Sequence, residues 1–127
     1  VNRSMENDLI KATMNHAEVA YLKGDFENAA FWYSEVLEIN SKKIDAQFGM
    51  GVSNMGMSEY VVASESFNKV IQHNDNLFIQ KAQWYQAGCF LAMDETDRAK
   101  RQLAMIASDS NHFYSDKAAK VLKRMKR

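Results

Sequence analysis

Lys23-Gly24-Asp25-Phe26-Glu27-Asn28-Ala29-Ala30-Phe31-Trp32-Tyr33-Ser34-Glu35-Val36-Leu37 holds four aromatic residues and three acids within fifteen positions. Such density suits either the wall of a ligand site or a structural turn that the chain uses more than once. Repetition decides between them. Ala29, Tyr33 and Val36 return 34 residues later as Ala63, Phe67 and Val70, and 36 residues after that as Ala99, Leu103 and Ile106. Steps of four and three keep each trio on one helical face, whereas a strand needs alternation. Repeats of this period mark stacked supersecondary units. The aromatic cluster is therefore read as architecture: Ala29 and Ala63 where two helices approach closely, Tyr33 and Phe67 filling the next turn, Phe26 packing across the turn, and Phe31 and Trp32 flanking the core face.

Working outward, a segment rich in helix formers precedes each trio, separated from it by a short polar break. The spacing predicts helices over about residues 6–22, 26–39, 44–57, 60–73, 78–93 and 96–108. A final one is predicted over about 114–126, where Ala118, Val121, Leu122 and Met125 recur at helical intervals. Asp25, Ser58 and Glu95 or Thr96 stand where an N-cap is needed. Proline is absent and glycine occurs only five times, so little interrupts a helical chain. At 127 residues the sequence suits one domain, 1–127, with repeats at about 10–43, 44–79 and 80–113 and a capping helix at about 114–126.

The chemistry-bearing residues do not assemble into a catalytic or metal motif. His16, His73 and His112 fall in different repeats, and Cys89 has no second cysteine, so no zinc pattern forms. Cys89, between Gly88 and Phe90, is expected to be an inert buried thiol. Gly49-Met50-Gly51-Val52-Ser53-Asn54 begins like a dinucleotide fingerprint, yet it lacks the third glycine and the preceding strand; close helix packing explains these glycines better. Ser108, Asp109, Ser110 and His112 lie in one polar loop, where capping and turn roles are expected rather than a triad. Neither an enzyme activity nor a cofactor is expected.

Formal charge is zero overall but unevenly placed. The last fourteen residues carry Lys117, Lys120, Lys123, Arg124, Lys126 and Arg127 against Asp116, a sum of +5 that leaves −5 on the rest. Basic residues suit the end of a helix and the outer face of a terminal cap. Without interleaved aromatic residues, the tail is a poor nucleic-acid platform. No run of 18 apolar residues occurs, so direct membrane insertion is not expected. The chain reads as a soluble domain, cytoplasmic or part of a longer membrane-anchored protein, with the compartment left open.

The repeated positions resemble the tetratricopeptide repeat family over about residues 10–113. Ala17, Gly24-Asp25-Phe26, Ala29, Tyr33 and Val36 match its pattern in the first copy. Gly51, Ser58-Glu59-Tyr60, Ala63, Phe67 and Val70 match it in the second, and Ala87, Asp94-Glu95-Thr96, Ala99, Leu103 and Ile106 in the third. The usual proline after the second helix is replaced by Ser41 and Asp75. Ala82-Gln83-Trp84-Tyr85, Cys89-Phe90-Leu91, Asp97-Arg98-Ala99-Lys100 and Asn111-His112-Phe113-Tyr114 together resemble the C-terminal part of such repeat proteins from Bacteroidetes. The resemblance implies an all-α superhelix of three antiparallel helix pairs plus a C-terminal capping helix. It also implies a non-enzymatic adaptor or scaffold that takes a protein partner, peptide or helix, in a concave apolar groove. By the same resemblance, Met14, Glu18, Tyr21, Phe48, Val52, Met55, Lys81 and Trp84 are expected to line that groove. The basic clamp with which some relatives hold a chaperone's terminal carboxylate is broken here, with Met14, Glu18 and Asp45 among the residues in its place. The alternative is an assembly module, a homo-oligomer or a docking element for another domain, with a charged partner on the basic final helix as a lesser reading.

Overall fold

The computed structural model describes residues 2–126. Val1 and Arg127, the two ends of the expected domain and the last of its basic residues, lie outside them. Seven α-helices follow one another: α1 Arg3–Leu22, α2 Phe26–Ile39, α3 Ile44–Gly56, α4 Tyr60–Gln72, α5 Ile79–Ala92, α6 Thr96–Ser108 and α7 Ser115–Met125. There is no strand among the described residues. Each helix packs chiefly on the next, giving three antiparallel pairs and a seventh helix that closes the stack. This is the all-α architecture of three helix pairs and a capping helix that the resemblance implies. The helix α1 starts three residues earlier than its apolar periodicity suggests, because the Asn2 side chain caps it by accepting from the Met5 N–H at 2.8 Å.

The three tight turns inside the pairs share one backbone solution. Gly24, Ser58 and Asp94 each adopt left-handed φ, at 76°, 60° and 58°. Each N–H donates to the carbonyl three residues back, on Tyr21, Met55 and Leu91. The next residue, Asp25, Glu59 or Glu95, donates to the carbonyl five back, on Ala20, Asn54 and Phe90, at 2.8–2.9 Å. That paired arrangement satisfies carbonyls orphaned at a helix end and reverses the chain in three residues. It also corrects two expected caps. Ser58 supplies the left-handed position instead of an N-cap hydroxyl. Glu95 stands at the cap of α6 without capping it and pairs with Arg98 at 3.0 Å. Asp25 does cap α2, accepting from the Asn28 N–H at 3.3 Å.

The connections between pairs repeat a second device at intervals of 36 residues. Asn40 accepts from the N–H of Lys42 at 3.0 Å, Asn76 from that of Phe78 at 2.9 Å, and His112 from that of Tyr114 at 3.1 Å. Asn76 further donates to the carbonyls of Val70 and His73, tying down the end of α4. A constant offset of 34 residues would pair Asn40 with Asn74; two extra residues in the connection to α5 move the role to Asn76.

Small residues of α3 set the spacing of the core. A Cβ on Gly49 would stand 2.4 Å from the Tyr33 ring, and one on Gly51 2.4 Å from the Phe67 ring. Both rings therefore lie directly against helix backbone, one from α2 and one from α4. Ala29, Ala63, Ala99, Val36, Val70 and Ile106 are fully buried around them, so the repeated trio is the core. Burying a side chain such as Phe67 contributes about 1.5–3 kcal/mol.

Candidate functional site

The first helices of the pairs, α1 and α3, border an open cleft of about 870 Å³, lined by Lys11, Met14, Asn15 and Glu18 from α1, Asp45 from α3 and Lys43 from the turn between α2 and α3. Its floor is mixed. Ile10 and Met14 supply apolar surface, whereas Asp8, Glu18 and Lys11 present charges that make no ion pair among the described residues. Asp45 is held 3.7 Å from Lys43. Tyr33 sits nearby from beneath: it is buried over Gly49, and its phenol is pushed up to about 12 by desolvation, with Glu18 and Tyr21 adding to the shift. That shift keeps the hydroxyl protonated at neutral pH.

The eight expected groove residues are divided among different surroundings. Met14 and Glu18 line the cleft. Tyr21 is half-buried with its ring 5.6 Å from that of Phe26. Phe48 packs among Phe67, Phe78 and Tyr85 at ring distances of 5.1–6.0 Å. Val52 and Met55 pack against the same core. Trp84 lies flat on Tyr114, 5.1 Å away with planes 4° apart, and so joins α5 to the start of the cap. Lys81 is exposed. Phe48 and Trp84, expected from the sequence to be free aromatic anchors, therefore also hold the fold together. Helical spacing alone could not separate these roles, since groove-facing and neighbour-facing positions on one helix differ by only a residue or two in register.

A network of amides behind α5 escaped sequence reasoning. Gln86 donates to the Ser64 carbonyl at 3.0 Å. Gln102 donates to the Gln83 carbonyl at 2.8 Å and to Gln86 Oε1 at 2.9 Å. His112 is buried, with its Nδ1 accepting from the Tyr114 N–H. That bond fixes the proton on Nε2, which donates to Gln83 Oε1 at 2.9 Å. Desolvation lowers the His112 pKa, with Asp109 opposing the shift. The loop role expected for His112 is thus met by a buried, neutral imidazole instead of a solvated one. A depression of about 520 Å³ between α4 and α6 lies over this network. Its buried amide, Gln86, already spends both polar ends on the chain itself, and Arg98 is stacked over Phe90 at 4.3 Å.

Cys89 is fully buried, and desolvation pushes its thiol up to about 11, so no nucleophile is poised there. Among the described residues, no group of three or more His, Cys, Asp or Glu side chains is placed to hold a metal ion. No described helix is long and apolar enough to cross a membrane.

No protein-family model matches the chain, and no curated protein does. Its fold is similar to a solved structure, that of the type III secretion translocator chaperone SycD of Yersinia enterocolitica. The two superpose with a TM-score of 0.81 over 94% of this chain and 85% of that one, at 18% sequence identity. At that identity the likeness establishes the fold.

Proposed function

We propose that the chain is a non-enzymatic protein-binding adaptor that receives a peptide or helix of a partner along the concave surface of α1, α3 and α5. The cleft between α1 and α3 carries this reading. It is open, it is larger than a single side chain needs, and it joins apolar surface from Ile10 and Met14 to uncommitted polar groups on Asn15 and Glu18. Apolar area anchors a peptide, and polar groups at its border fix register. The protein of similar fold is a translocator chaperone, which supports the same class of function. In this reading Met14, Glu18, Tyr21 and Lys81 meet the partner directly. Phe48, Val52, Met55 and Trp84 give the surface its shape from half-buried positions.

Affinity capture from the native extract tests the proposal, with the wild-type chain beside a Met14→Lys, Glu18→Lys variant shown to be folded by circular dichroism. Both positions line the cleft, and because Met14 also packs against the first core cluster, Glu18→Lys alone is carried beside the pair so that loss of binding is separated from loss of stability. Loss of a specific co-purifying protein from the variant is the expected result. Retention of every specific partner at unchanged affinity would rule out the cleft.

A further inference from the structure

The two ends of the stack differ in a way that the groove does not explain. Stacked-helix proteins need polar outer faces on their terminal units. At the C-terminal end α7 meets that need: Ala118 faces the core, and Lys120, Lys123 and Arg124 are exposed on the opposite side. At the N-terminal end α1 and α2 do not. Met5 and Leu9 are 59% and 54% exposed, and Val19 and Phe31 are exposed as well. A stack of rings continues the patch, with His16 5.0 Å from Trp32 and Phe31 edge-on to Trp32 at 5.0 Å. Two acids border it: Asp8, at the edge between the cleft and the outer face of α1, one turn from Met5, and Glu35, one turn beyond Trp32 and Phe31 on α2.

Charge identifies the occupant. Residues 3–38 hold seven acids against three cations, whereas residues 100–126 hold seven cations against two acids. The ion pairs among the described residues are Lys43–Asp45 and Glu95–Arg98, so neither excess is neutralised within the chain. Lysine and arginine stems cover apolar surface while their charged heads reach beyond it. We propose that the outer face of α7 of one copy docks on the α1–α2 end face of a second copy, with its aliphatic stems over Met5, Leu9 and Phe31 and its charges meeting Asp8 and Glu35. Two α1–α2 faces brought together would set acid against acid, which disfavours the symmetric pairing. A head-to-tail contact leaves one free end of each kind, so the assembly lengthens with concentration instead of closing at two copies.

The test uses the purified wild-type chain in sedimentation velocity over a range of concentrations. Salt is varied between about 0.01 M and about 1 M, where the screening length falls from about 30 Å to about 3 Å. Association is expected at low salt and is expected to disappear at high salt. A Lys120→Glu, Lys123→Glu variant and an Asp8→Lys, Glu35→Lys variant should each associate at least about tenfold more weakly than wild type. Mixing the two variants should restore assembly, because each then offers the other a complementary end. Should either reversal compromise folding, the neutral pair Asp8→Asn, Glu35→Gln gives the same direction with a smaller effect. A chain that stays monomeric at low salt, a dimer indifferent to salt, or variants that fail to rescue each other would each overturn the head-to-tail contact. Asp8 also lines the edge of the cleft between α1 and α3, so the two readings are told apart by Lys120→Glu, Lys123→Glu, whose positions lie outside the cleft: its weaker association is expected whether or not the cleft binds a partner.

Discussion

Gly51 and Gly88 both lie in first helices, Gly88 one residue past Ala87, the counterpart of Gly51, and a methyl group would meet opposite environments at the two. At Gly51 it would stand 2.4 Å from the fully buried ring of Phe67, whereas at Gly88 nothing lies within 4 Å. Overpacking a core costs about 1–3 kcal/mol, and replacing a mid-helix glycine by alanine gains at most about 1 kcal/mol. Gly51→Ala should therefore lower the denaturant midpoint and Gly88→Ala raise it. A shared direction of change would show that the rings do not rest on backbone as described. His112 gives the residue scale a pH signature. Burial depresses its folded-state pKa, so its contribution to stability is complete above the unfolded value of about 6.5 and is lost as pH falls below it. Melting points measured from pH 7 to pH 5 should fall. His112→Asn, which places at this turn the side chain that Asn76 uses at the preceding one, should flatten that dependence.

At the scale of the element, the helical turns were legible because Ala29, Tyr33 and Val36 combine a helical step with a long-range repeat, two independent signals that agree. The chemistry of the breaks was less legible. Ser58 looks like a cap by residue type and Asp94 stands just before the caps expected at Glu95 or Thr96, but their places in the chain demand left-handed backbone, and only the equivalent Gly24 shows that need by its identity. The surroundings of the residues expected in the groove were hidden for a related reason. Phe48 and Trp84 have the periodicity of surface positions, and what covers them comes from Phe78 and Tyr114, in connections whose register no helical period specifies. The turn geometry makes its own prediction. L-residues pay about 1–2 kcal/mol in the left-handed region, partly offset by glycine's greater freedom in the unfolded chain. Ser58→Gly should therefore add about 0.5–1 kcal/mol to the unfolding free energy. Gly24→Ala, at φ 76° with open space around it, should remove a similar amount through backbone strain alone. Equilibrium urea unfolding of both variants checks the pair, and a neutral result at both positions would mean that these turns relax out of the left-handed region.

At the scale of the molecule, α7 is the element that separates a finished stack from an open one. It covers Leu103 and Ile106, and Tyr114 at its start carries the flat face of Trp84. Ending the chain after Ser108 should leave that apolar surface bare, lowering the melting point and increasing binding of a hydrophobic dye; an unchanged melt would demote α7 from cap to appendage. The pattern in which each helix packs chiefly on its sequence neighbour has a kinetic consequence as well. The contacts that hold the stack are formed by stretches of chain close together in sequence, so little loop entropy must be lost before packing begins, and helical chains of this kind fold in microseconds to milliseconds. Nor can refolding wait about 10–100 s for a prolyl bond to isomerise, since the sequence contains no proline. Stopped-flow refolding should thus finish without a slow phase, and the speed of this protein's return from denaturant is set by how quickly neighbouring helices find each other.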